Sequence, residues 1–115
     1  MANLYNGDSS AGTDKLFKNT DFTSTIADSF SSPSTQGIGC SWDGTNLYSS
    51  DSATDKVYKH SGFSTTIIDS FSAPGTSTLG IVWDGSNISV TDGGTDKVYK
   101  HSGFTSTISD SFFTH

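Results

Sequence analysis

Carboxylates recur in pairs along this chain, as Asp51 with Asp55, Asp92 with Asp96 and Asp8 with Asp14. Oxygen-rich pairs suit a hard cation such as calcium, which takes ~6–8 oxygen ligands. No Asp-x-Asp-x-Asp loop with a closing acid accompanies them. An Asp that caps nearby backbone N–H groups in a turn accounts for the same spacing and is the simpler reading. Two imidazoles, His60 and His101, could ligate a metal or act as bases. Each sits in a Lys-His-Ser-Gly context, and the equivalent place earlier in the chain holds Asn19, so a metal site built on them would lose a ligand. A turn carrying an exposed His is expected there. Cys40 has no activating neighbour and reads as a small buried hydrophobe, and no Ser-His-Asp order stands out. Trp42, Trp83 and Tyr48 could stack on a sugar ring. The candidate ligand-binding residues are therefore Tyr48, His60, His101, Trp42 and Trp83, with no catalytic, cofactor or metal residue assigned.

The elements that position these groups follow from a repeat of period 41. Trp42 recurs as Trp83, Asp43-Gly44 as Asp84-Gly85, and Asp14-Lys15 as Asp55-Lys56 and Asp96-Lys97. Phe22, Phe63 and Phe104 keep the spacing, as do Phe30, Phe71 and Phe112, and the nine residues Asp55 to Phe63 are identical to Asp96 to Phe104. The register slips by two residues between Asn3-Leu4-Tyr5 and Asp14, which fits a longer turn in the first copy.

One unit reads as four short strands. Ile38, Cys40 and Trp42 alternate onto one face, as do Leu79, Ile81 and Trp83, and Asp43-Gly44-Thr45 and Asp84-Gly85-Ser86 then supply hairpin turns. A second strand starts at Asn46-Leu47-Tyr48 and Asn87-Ile88-Ser89, a third at Val57-Tyr58 and Val98-Tyr99, and a fourth covers Ile67 to Phe71. Faces shared with Ile and Leu make Trp42 and Trp83 packing residues before they are sugar platforms. Gly62 and Gly103 stand where the first copy has Asp21, which predicts a positive φ at that position. Asp28, Asp69 and Asp110 lie in the fourth strand, where Lys18, Lys59 and Lys100 could pair with them or a charged outer edge could discourage association. Asn87-Ile88-Ser89 matches a glycosylation triplet but falls inside a strand.

Leu79-Gly80-Ile81-Val82-Trp83-Asp84-Gly85-Ser86-Asn87 followed by Thr95-Asp96-Lys97-Val98-Tyr99-Lys100 resembles β-propeller blade repeats of the six-bladed NHL- or YncE-like type. The resemblance implies an all-β fold of about three four-stranded blades: a partial blade over 1–36 that lacks its inner strand, a blade over 37–78 and a blade over 79–115. Propellers close at roughly four to eight blades. An open stack exposes both end faces. Closure by homo-oligomerisation is therefore expected, as a six-bladed homodimer or a larger homotrimeric ring.

Composition narrows the function. The chain of 115 residues holds 38 Ser and Thr, 12 Asp and 6 Lys, with no Glu or Arg and a net charge of −6. That argues against a helical fold and against nucleic acid, which needs a basic footprint. No apolar run approaches a membrane span and no signal segment is visible, so a cytoplasmic protein, or a virion or extracellular one reached by a non-classical route, is expected. Six-bladed propellers host lactonases and lyases that use Glu, His, Asn and a divalent metal, but this chain has no Glu. The expected function is a non-enzymatic, lectin-like binding module for a glycan. A structural scaffold, or a fragment of a longer propeller, is the alternative, and a metal-dependent lactonase- or lyase-like enzyme a second one. A multivalent binder would use near-identical copies, because each blade presents the same surface.

Overall fold

The computed structural model describes residues 3–8, 15–32 and 37–113, without the side chains of Asn6, Asp8, Ile38 and Leu79. Met1, Ala2, Asp14 and Gln36 lie outside the described residues, so the carboxylate pair of Asp8 with Asp14 has no structural counterpart here. The described regular structure is all strand, in three antiparallel meanders. The first sheet has order β1 (Leu4–Asp8), β2 (Lys15–Asn19), β3 (Ile26–Ser31). The second runs β4 (Gly37–Trp42), β5 (Leu47–Asp51), β6 (Lys56–His60), β7 (Ile67–Ser72), and the third β8 (Thr78–Trp83), β9 (Ile88–Asp92), β10 (Lys97–His101), β11 (Ile108–Phe113). These strands fall where the repeat places them, and β1 has no fourth strand on its inner edge among the described residues.

Turn chemistry sets the register. Gly44 and Gly85 take φ of 99° and 104° in the β4–β5 and β8–β9 hairpins, a region closed to most side chains. Asp21, Gly62 and Gly103 take φ of 52°, 63° and 65°, so the Asp/Gly exchange does mark a left-handed residue. A second device recurs in all three sheets. The backbone N–H of that residue donates to an asparagine heading the second strand: Asp21 to Asn3 at 3.4 Å, Gly62 to Asn46 at 2.9 Å and Gly103 to Asn87 at 2.8 Å.

The sheets stack face to face, with β4 against both β1 and β8. Leu16, Leu47, Val57, Ile88 and Val90 are fully buried. The outer strands are mostly exposed. On them Asp28, Asp69 and Asp110 sit opposite Lys18, Lys59 and Lys100 in the pairing register. Each carboxylate accepts from the next backbone N–H at 2.8 Å. A bulge between Lys59 and His60 makes Ile68 the extra residue of its ladder, and matching irregularities occur in the other two sheets. The aspartates are thus exposed edge residues. No helix long and apolar enough to cross a membrane is present among the described residues.

Candidate functional site

Aromatic side chains concentrate where one blade meets the next, and the same arrangement is built twice. At the first junction Tyr5 stacks on Trp42 with centroids 5.0 Å apart, and Phe30 meets Phe63 edge-on at 4.7 Å and His60 at 5.2 Å. At the second, Tyr48 stacks on Trp83 at 5.2 Å, and Phe71 meets Phe104 at 4.8 Å and His101 at 4.7 Å. Such pairs are worth ~0.5–1.5 kcal/mol beyond the area they bury. Ser41 Oγ also accepts from the Trp83 backbone N–H at 3.2 Å across the second junction. Each junction thus has a Tyr/Phe face on one blade and a Trp/Phe/His face on the following one.

This placement puts the five candidate residues at the junctions between blades and corrects the expectation of exposed imidazoles. Tyr48, His60 and His101 are buried, and Trp42 and Trp83 are half-buried under tyrosine rings. The histidines end strands β6 and β10 and do not lie in the turns. Their Nδ1 atoms lie 2.7 Å from the carbonyls of Ser64 and Thr105, four residues on. A carbonyl only accepts, so Nδ1 carries the proton. Asn19 Nδ2 donates to the Thr23 carbonyl at 2.8 Å in the same way. Asn and His therefore interchange because each offers a side-chain nitrogen donor that clasps the following turn.

With Nδ1 protonated, His60 Nε2 accepts from the Ser49 hydroxyl at 2.8 Å. A serine paired with an oriented imidazole has the form of a nucleophile and its base. Ser49 and His60 are both sealed from solvent, so this pair has no path to a substrate. In the third blade Val90 replaces Ser49, and His101 Nε2 is buried with no hydrogen-bond partner. Burial pulls both imidazoles below their ordinary pKa against the opposing effect of the carbonyl bonds.

Asp43, Asp51 and Asp92 cap turns. Asp51 Oδ1 accepts from the Ala53 and Thr54 N–H groups, and Asp92 accepts from Ser77 N–H, Thr95 N–H and the Thr95 hydroxyl. Asp43 accepts from Thr45 N–H and Asn46 N–H at 2.7 Å and from the Tyr48 hydroxyl at 2.7 Å. Burial works against its charge, but the bonds from Asn46, Tyr48 and Thr45 outweigh this and hold its pKa below the usual carboxylate value. Burial pushes the half-buried Cys40 thiol up to about 11, which keeps it protonated and unreactive at neutral pH. The Asn87 side chain is committed to Gly103. No group of three or more His, Cys, Asp or Glu arranged to hold a metal occurs among the described residues.

The residues that sequence reasoning passed over are the turns the clasps hold. Thr23-Ser24-Thr25, Ser64-Thr65-Thr66 and Thr105-Ser106-Thr107 form one hydroxyl triplet per blade. The first hydroxyl of each donates to the carbonyl three residues back, at Thr20, Ser61 and Ser102. Its oxygen then accepts from the N–H two residues on, at Thr25, Thr66 and Thr107. The second and third residues of each triplet are exposed. Recurrence of three consecutive hydroxyl residues at the repeat spacing was the available signal.

No family profile matches the chain, and no curated protein matches it. Solved structures do. The glutaminyl cyclase of Myxococcus xanthus superposes with a TM-score of 0.74 at 15% identity, covering 98% of this chain and 47% of that one. BamB from Moraxella catarrhalis gives a TM-score of 0.62 at 7% identity, covering 96% and 33%, and the Dos1 propeller gives 0.60 at 8%, covering 93% and 29%. The chain spans less than half the length of these structures, and identities this low speak to fold alone. With four-stranded antiparallel meanders stacked face to face, they establish that the chain is a run of β-propeller blades.

Proposed function

We propose that this chain is a non-enzymatic, lectin-like recognition module of the six-bladed NHL- or YncE-like blade type, which binds glycan through the hydroxyl turns between the third and fourth strands of its blades. The observation that supports this reading is the clasped triplet. In every blade a buried Asn or His fixes a turn whose second and third residues, Ser24-Thr25, Thr65-Thr66 and Ser106-Thr107, face solvent. Hydroxyls held on a rigid support lose little freedom on binding, and repetition at blade spacing turns weak contacts into avidity. His60 and His101 are buried and committed to clasping their turns, which favours binding over catalysis.

A glycan array probed with the wild-type chain, and with a variant carrying Ser24→Ala, Thr25→Ala, Thr65→Ala, Thr66→Ala, Ser106→Ala and Thr107→Ala, tests this. Selective glycan binding that the variant loses with an unchanged circular dichroism spectrum is expected. No glycan retained at high protein concentration, or binding the variant keeps, overturns the assignment of these turns.

A further inference from the structure

The two blades at the ends of the stack each expose the half of a junction that their neighbours bury. On the first blade, Leu4 is 39% exposed where its counterparts Leu47 and Ile88 are 0% exposed. Phe22 there is 90% exposed, whereas Phe63 and Phe104 are half-buried between blades. On the third blade Phe112 is 63% exposed, whereas Phe30 and Phe71 pack into junctions. Both end faces are hollowed. Leu4 and Phe22 border a depression of ≈ 350 Å³, and Ser89, Val98 and Phe112 border one of ≈ 140 Å³.

One break in the repeat falls on the open face of the third blade. Ser41 and Tyr48 are register partners on the blade-two face that covers blade three, and at the equivalent pair the third blade has Val82 and Ser89. Bulk and apolarity have moved from one strand to its neighbour, leaving Val82 60% exposed on the open face. A tyrosine at position 89 would stack on a tryptophan of the following blade. Both tryptophans of the chain are already stacked at the internal junctions, where each meets a tyrosine.

We infer that the Phe112 face of one chain docks on the Phe22 face of a second copy, head to tail, with Phe112 taking up edge-on contact with Phe22 and covering Asn19. The interface repeats what the chain already forms twice within itself, so the occupant it fits is another blade of this sequence. The two faces differ, which makes the contact heterologous, and two chains of three blades close it into a ring within the ordinary propeller range of roughly four to eight. The inference does not depend on what the hydroxyl turns recognise.

Sedimentation equilibrium of the full chain tests it. A particle of about 24 kDa, twice the 12.1 kDa of one chain, is expected. Phe22→Asp and Phe112→Asp each break both contacts of the ring and should halve the mass, with circular dichroism showing that the blades remain folded. Mixing the two variants leaves one contact with both native faces and should restore the 24 kDa species, about 2 × 12.1 kDa. A wild-type mass of 12.1 kDa at every concentration overturns the junction, and any other multiple overturns the two-chain ring. A dimer that survives either variant, or variants that do not complement on mixing, overturns the head-to-tail pairing. Should a variant fail to fold, the charge is moved to Val82→Asp on the third blade or Leu4→Asp on the first, with the same expectations.

Discussion

The ring of Tyr48 lies flat on that of Trp83, with centroids 5.2 Å apart and planes 12° from parallel. The same relation holds between Tyr5 and Trp42, at 5.0 Å and 17°. The Tyr48 hydroxyl also donates to Asp43, so one side chain ties a hairpin turn to an inter-blade stack. Truncation of Tyr48 therefore acts on stability. Tyr48→Ala should cost about 3–5 kcal/mol, read as a lowered urea midpoint, because the surrounding strands cannot collapse into the space. Tyr99→Ala, at a half-exposed strand position, should cost clearly less. Equal costs would show that the stack does not hold the blades together.

The orphaned nitrogen of His101 makes a second prediction. In blade two a hydroxyl at Ser49 satisfies the imidazole, and in blade three Val90 cannot. Putting a hydroxyl into a packed apolar site ordinarily destabilises. Val90→Thr should instead be neutral or stabilising by up to about 1 kcal/mol, because it relieves an unmet buried acceptor. Val57→Thr, equally buried, is the control and should carry the ordinary cost. Matching losses at the two positions would remove the orphaned nitrogen as an energetic liability.

Acid should weaken the fold through the same histidines. Burial places the pKa of His60 and His101 below the usual value of 6.5. Between the lowered folded value and the unfolded one, the unfolded chain binds more protons, so stability rises with pH and is lost as pH falls below about 6.5. Each imidazole contributes a slope of up to about 1.4 kcal/mol per pH unit in that window. The double variant His60→Asn, His101→Asn adopts the side chain that the first blade already uses at Asn19. It should flatten this limb of the stability–pH curve. Parallel curves for variant and wild type from about pH 7 to 5 would place the acid sensitivity elsewhere.

Gly75 approaches the Asp92 carboxylate so closely that a methyl group there would collide with it. Asp92 is fully buried and accepts from Ser77 and Thr95, so it cannot swing away freely. Gly75→Ala should lower stability by about 1–3 kcal/mol in a thermal or urea melt. Gly80→Ala, in open space on β8, should be within about 0.5 kcal/mol of wild type. A tolerated Gly75→Ala would mean that this loop repacks without loss.

Much of this architecture is local and therefore legible in one dimension. The 41-residue period, the alternation in β4 and β8 and the Asp-Gly turns identify strands and blades, because side-chain direction along a strand is set by neighbouring residues. The exchange of Asp21 for Gly62 and Gly103 reveals a left-handed φ, since few other residue types tolerate one. The exchange of Asn19 for His60 and His101 is not legible in this way. What those side chains share is a nitrogen donor at one distance, and only the folded turn shows the carbonyl that receives it. Likewise, period-two alternation assigns Tyr48 to one face of its sheet but says nothing of what covers that face. That depends on Trp83 and Phe104 arriving from the next sheet, so the tertiary packing decided that Tyr48, His60 and His101 are buried and that the hydroxyl turns meet solvent.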